Sequence, residues 1–117
     1  MYADTLYVGQ VGLQEPSFFI LTALAREPLH GYGVMQAVAE LSNGRLQLRA
    51  GTLYAALDRL TEDGLLIVDH EEAVEGRLRR YYRLTDKGVA QLEEEVTRLR
   101  ANAATAAAAL RRRPATA

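Results

Sequence analysis

The chain has 117 residues, enough for one domain with a modest core but few for an enzyme that must also build a pocket. It has no cysteine, which excludes disulfides and thiolate chemistry and is compatible with a reducing cytoplasm. The formal net charge is −1, so the protein as a whole is no polycation, and a nucleic-acid role must rest on where its cations sit. No apolar run approaches the ~20 residues of a membrane helix and no signal-like segment opens the chain, so the expectation is a cytoplasmic protein without a membrane partner.

Residues 1–15 mix Tyr2, Leu6, Tyr7, Val8, Val11 and Leu13 without a clean period. They read as an N-terminal arm or a frayed terminus. Pro16 sits where the first turn of a helix tolerates proline, and Phe18, Leu21, Leu24 and Ala25 share one face of the helix that follows, which Pro28 ends. A second helix runs from His30 to Leu41, with Val34 or Met35, then Val38 and Leu41, at helical spacing; Ser42, Asn43 and Gly44 close it. His30, at the helix start, is expected to cap it, because no nucleophile or carboxylate accompanies it as a catalytic base would require.

Residues 45–49 alternate polar and apolar, as a short strand or an extended linker does. They lead into a third helix over residues 51–63, where Leu53, Leu57 and Leu60 form one narrow apolar stripe. The opposite arc begins with Gly51, Thr52, Tyr54 and Ala55, mostly small or hydrogen-bonding, so another molecule could approach the backbone there. Either a core helix or a helix presented to a groove satisfies this pattern. Gly64 stops it in a left-handed turn, and a hairpin follows over residues 65–72 and 77–85. In its second strand the pleat puts Leu78, Arg80, Tyr82 and Leu84 on one side and Arg77, Arg79, Tyr81 and Arg83 on the other. Leu84 and Tyr82 belong to the core, which turns the arginine-rich set outward. That cationic face favours an acidic partner over a solvated edge that merely discourages aggregation.

Asp69, Glu71 and Glu72 flank His70, but strand alternation divides them between faces, and His30 is the only other histidine. No metal site is expected, since a closed site needs about four converging ligands. Thr85 and Asp86 then suit the start of a long helix. Val89, Leu92, Val96, Leu99, Ala103, Ala106 and Leu110 repeat at spacings of 3 and 4 along it, an a/d seam suited to a second copy of the chain. Arg111, Arg112 and Arg113 complement its negative end and Pro114 stops it.

His30-Gly-Tyr32, the run from Gly51 to Leu60 with Asp63-Gly-Leu65, and the run from Arg79 to Gly88 resemble the PadR family of bacterial transcriptional regulators. The resemblance covers roughly residues 16–100. It implies an α+β fold, mainly α with a small β-hairpin: a winged helix-turn-helix domain followed by a long C-terminal dimerisation helix. The expected boundaries are an arm over 1–15, the winged domain over 16–85, the dimerisation helix over 86–112 and a disordered tail over 113–117. It also implies a homodimeric repressor bound to double-stranded DNA at an inverted-repeat operator, with the third helix in the major groove and the wing on the flanking backbone. Under that reading Thr52 and Tyr54 contact the groove, Arg49 stands at the helix entrance, and Arg77, Arg79 and Arg83 meet phosphates. Tyr32 either braces the second helix or touches DNA.

Two features depart from the family pattern. Arg49-Ala50 replaces a Ser-Pro-like pair before the third helix, removing a side-chain oxygen cap. The chain has no tryptophan, so the stacking of flat ligands known for some drug-responsive members is not carried over. Release by a small-molecule effector therefore stays open, and no cofactor is expected. The rival readings are a winged-helix protein-interaction module without specific DNA binding, and a small enzyme. Two isolated histidines and the absence of a phosphate-cradling glycine loop disfavour the enzyme.

Overall fold

The computed structural model describes residues 12–115, so most of the expected N-terminal arm and the last two residues of the tail lie outside the described residues. Two compact units emerge, one of residues 13–92 and one that includes residue 12 and residues 93–115. Among the described residues the elements in chain order are α1 (Glu15–Arg26), β1 (Leu29–His30), α2 (Gly31–Leu41), α3 (Ala50–Glu62), β2 (Leu66–Val74), β3 (Arg77–Leu84) and α4 (Asp86–Arg111). The three strands form one antiparallel sheet in the order β1-β3-β2. This is the expected α+β winged-helix architecture, and of the two forms expected for residues 45–49 the extended linker is the one present. Residues 45–49 form no strand; the short strand is Leu29–His30, whose register pairs Leu29 with Tyr82 and His30 with Tyr81. Two residues are too few to show alternation, so only the pairing with β3 defines this strand.

The core of the first unit is built on Ile20, Leu21, Leu24, Val34, Val38, Leu53, Leu57, Leu60, Leu66 and Tyr82. On α1 the buried stripe is Ser17, Ile20, Leu21 and Leu24, at i, i+3, i+4 and i+7. Ala25 is exposed and Phe18 only half-buried, so the helix is rotated from the expected face and Ile20 takes the central place. Leu46 and Leu48 pack against the core from the extended link between α2 and α3, which explains the apolar positions there. Arg45 closes that link onto Glu15 through two hydrogen bonds of 2.8 and 3.0 Å.

The third helix ends in a Schellman motif: the Gly64 amide donates to Thr61 O and the Leu65 amide to Leu60 O, with Gly64 at φ +81°. The α4 N-terminus docks on this turn. The Thr85 hydroxyl donates to Gly64 O at 2.6 Å and accepts from the Gly88 amide at 3.0 Å, capping α4. Lys87 Nζ donates to Asp63 O at 2.8 Å, and Gly88 lies against the Leu65 carbonyl with no room for a side chain. The hairpin turns through Glu75 and Gly76, both at positive φ, as a tight type I′ connection requires.

Candidate nucleic-acid interface

Three short sequence features meet in one cleft of about 570 Å³. The α2 N-terminus contributes His30, Gly31 and Tyr32, the outer face of α3 contributes Tyr54 and Asp58, and the wing contributes Arg77, Arg79 and Arg80. Three arginines and two carboxylates, Asp58 and Glu75, thus line it together. Tyr32 and Tyr54 are 61% and 47% exposed, so both rings remain available to an incoming molecule.

Each cleft residue is placed by its own element. His30 precedes α2 in an extended conformation, and its Nδ1 accepts the Gly33 amide at 3.1 Å. The ring must be neutral to accept, and its pKa is lowered by burial first and by nearby Arg79 second. Tyr54 projects from the first turns of α3 across to α2, where its phenol covers the bare Gly31 backbone; a Cβ there would stand 2.6 Å from Tyr54 Cζ. The first turn of α3 has no side-chain cap: Arg49 occupies the N-cap position, exposed, beside exposed Gly51 and Thr52. Its backbone amides are therefore open to an acceptor.

The predicted DNA contacts fall into three groups. Tyr32, Tyr54, Arg77 and Arg79 line the cleft together. Arg49 and Thr52 lie exposed at the entrance of α3. Arg83 lies outside the cleft lining: its Nε pairs with Asp69 Oδ1 at 3.2 Å and its Nη1 donates to Leu84 O at 3.3 Å. Arg80, which the pleat assigns to the core side, joins the cleft because the hairpin is longer than the core it covers. Leu78, on the same side, is 68% exposed for the same reason. Arg80 is paired with Glu71 at 3.1 Å, and that carboxylate raises its pKa, with Tyr82 contributing next.

The acidic cluster around His70 also departs from simple alternation. A register shift between Val68 and His70 lets Asp69 reach the His70 ring, which no alternating strand would allow. Asp69 Oδ2 is 2.6 Å from Nδ1 and Glu72 Oε1 is 3.6 Å from Nε2. The carboxylates address opposite ring nitrogens and do not converge on a point.

Along α4 the predicted seam is unevenly covered. Leu92 packs on the core of the first unit and Val96 is half-buried, whereas Val89, Leu99, Ala103, Ala106 and Leu110 are exposed. Among the described residues no helix is long and apolar enough to cross a membrane.

The fold recurs in solved proteins. A PadR family transcription regulator from Clostridium difficile R20291 superposes with a TM-score of 0.69 at 23% identity, covering 83% of this chain and 99% of that one. Bacillus subtilis PadR, solved with operator DNA, gives 0.64 at 22% identity over 71% of this chain and 48% of that one. In sequence, the transcriptional regulator Rv3488 of Mycobacterium tuberculosis is 43% identical over 76 residues, which span 65% of this chain and 67% of that protein. The family model described as the transcriptional regulator PadR-like family matches residues 20–94, and the chain belongs to that family.

Proposed function

We propose that this protein is a sequence-specific DNA-binding regulator, acting as a homodimeric repressor in the cytoplasm and without catalysis. The observation that carries the reading is the cleft, where Tyr54 and Asp58 from the outer face of α3 share one space with Arg77 and Arg79, neither of which forms an ion pair among the described residues. A duplex with α3 in its major groove brings the flanking backbone toward a wing so placed. Thr52 and Tyr54 then meet base edges, Arg49 meets the groove entrance, and Arg77 and Arg79 meet phosphates. Arg83 adds charge only if it leaves Asp69. The similar fold of Bacillus subtilis PadR, solved with its operator, supports DNA as the partner.

The exposed apolar positions of α4 support the dimer. At 26 residues the helix is about 39 Å long, and Val89, Leu99 and Leu110 lie in heptad register with their side chains exposed. A second copy covers that stripe, and its two-fold axis makes the operator an inverted repeat. Release by a small-molecule effector fits the same scheme without any assigned site in this chain.

The test is a binding titration over a salt series, with a duplex selected from a random pool set against random-sequence duplex. The regulator binds the selected duplex more tightly and loses affinity to both as salt rises. Indifference to all DNA would favour the protein-interaction module.

A further inference from the structure

The two histidines of this chain both contact Tyr81 in the middle of the wing. His70 stacks on its ring at 4.3 Å and 12°, and His30 meets it edge-on at 5.2 Å and 81°. His70 and Tyr81 are register partners, and the next pair on the same face is Glu72 opposite Arg79. Arg79 forms no ion pair among the described residues although Glu72 stands directly across from it. Glu72 is instead turned to His70, 3.6 Å from Nε2.

We propose, building on the DNA-binding reading, that His70 is a proton-operated switch controlling whether Arg79 is free for phosphate. The Nδ1 hydrogen is committed to Asp69 at 2.6 Å, so the titrating proton is the one on Nε2, facing Glu72. With that proton in place, Glu72 is held on the ring and Arg79 projects into the cleft. Without it, a bare nitrogen lone pair faces the Glu72 carboxylate, which moves to the guanidinium across the strand pair. Arg79 is then neutralised by its own wing.

Every charged group facing His70 fits this scheme. Asp69 and Glu72 are its neighbours on β2; Arg79, Tyr81 and Arg83 face it from β3, with Arg83 held on the far oxygen of Asp69. His30 approaches from β1, beyond Tyr81. The hydrogen bond to Asp69 comes first among the causes that raise the His70 pKa, whereas burial and then Arg79 lower that of His30. The two titrations are therefore shifted in opposite directions, and the switch turns on the one raised above the ordinary histidine value. DNA affinity falls as pH rises through the His70 transition.

Two measurements test this. Without DNA, the His70 ring and the Arg79 Nε resonances are followed by NMR across about pH 6 to 9; both should report one midpoint, and Glu72→Gln should abolish the Arg79 response. With DNA, the wild-type salt slope should be shallower by about 0.9, one phosphate, at the alkaline end than at the acid end. Glu72→Gln should hold the steep slope throughout, and His70→Phe, which keeps a ring on Tyr81 but donates nothing to Glu72, the shallow one. An Arg79 resonance indifferent to His70 titration would overturn the switch, whatever the DNA result. A coupled resonance in a protein that binds no DNA would leave the switch standing and overturn the DNA-binding reading instead.

Discussion

The Tyr54 phenol lies on the Gly31 backbone, so the exposed face of α3 and the N-terminus of α2 are positioned by one ring against one missing side chain. Gly31 is buried, and a methyl there would stand 2.6 Å from Tyr54 Cζ. Gly31→Ala must therefore displace the ring. Tyr54→Ala is expected to reduce the ratio of specific to random binding by on the order of 1–3 kcal/mol if a base contact is lost. Gly31→Ala should act in the same direction, and the double variant should lose little more than Tyr54→Ala alone. Binding titrations read the ratio, and circular dichroism confirms the fold. A folded Tyr54→Ala with an undiminished ratio would remove Tyr54 from recognition.

The wing arginines differ in what already holds them. Arg77 and Arg79 form no ion pair among the described residues, whereas Arg83 is on Asp69. Arg77→Ala and Arg79→Ala, measured below the His70 transition, should each flatten the log-affinity against log-salt slope by about 0.9. Arg83→Ala should change it less. Equal effects from all three would mean that Asp69 releases Arg83 to the duplex.

Gly88 is a stability position. Its Cα sits on the Leu65 carbonyl, and an added Cβ would be 3.1 Å from the carbonyl carbon and closer still to its oxygen. The obstacle is backbone, which yields less easily than a side chain. Gly88→Ala should cost about 1–3 kcal/mol, the usual range for overpacking, and Thr85→Ala about 1 kcal/mol for the lost cap. Denaturant midpoints measure both, and an unchanged midpoint for Gly88→Ala would contradict the close docking of α4 on the α3 turn.

His30 makes stability depend on pH at the acid end. Its pKa is lower in the fold than its ordinary value of about 6.5, because burial disfavours the charged ring and the Arg79 guanidinium stands nearby. That contribution is fully present above about pH 6.5 and is lost as pH falls through the folded-state pKa. His70 has the opposite sign: its raised pKa adds stability below its ordinary value, lost as pH rises through the folded-state pKa. His30→Asn, which can cap without titrating, should remove the acid-side loss. His30→Ala should lose about 1 kcal/mol even at neutral pH.

Much of this architecture can be read from local chemistry. The α3 stripe, the Gly64 stop, the Thr85 cap and the hairpin each follow from residues adjacent in sequence. What escapes such reading depends on tertiary partners. The strand Leu29–His30 exists only because β3 lies beside it. Arg80 enters the cleft because the hairpin outruns the core, and Asp69 reaches His70 because one register shift breaks the alternation. The ring of Tyr54 over Gly31 has no signature short of the fold itself.

Assembly is tested by sedimentation. Leu99 is 41% exposed on α4 although it lies in the apolar register, and the account expects a dimer at micromolar concentration. Leu99→Asp would bury a charge in the seam, so monomers and a collapse of operator affinity should appear together. A wild-type monomer that still binds a palindrome tightly would contradict the dimer.

Sequence-specific recognition by α3 and the wing is tested by selecting bound duplexes from a random DNA pool. One inverted repeat should be enriched, its half-sites centred about 34 Å apart so that two reading helices meet successive major-groove faces. Arg77→Ala should enrich the same repeat more weakly, because phosphate contacts position the protein without reading sequence. A pool that emerges from selection with no sequence enriched over its input would contradict sequence-specific recognition.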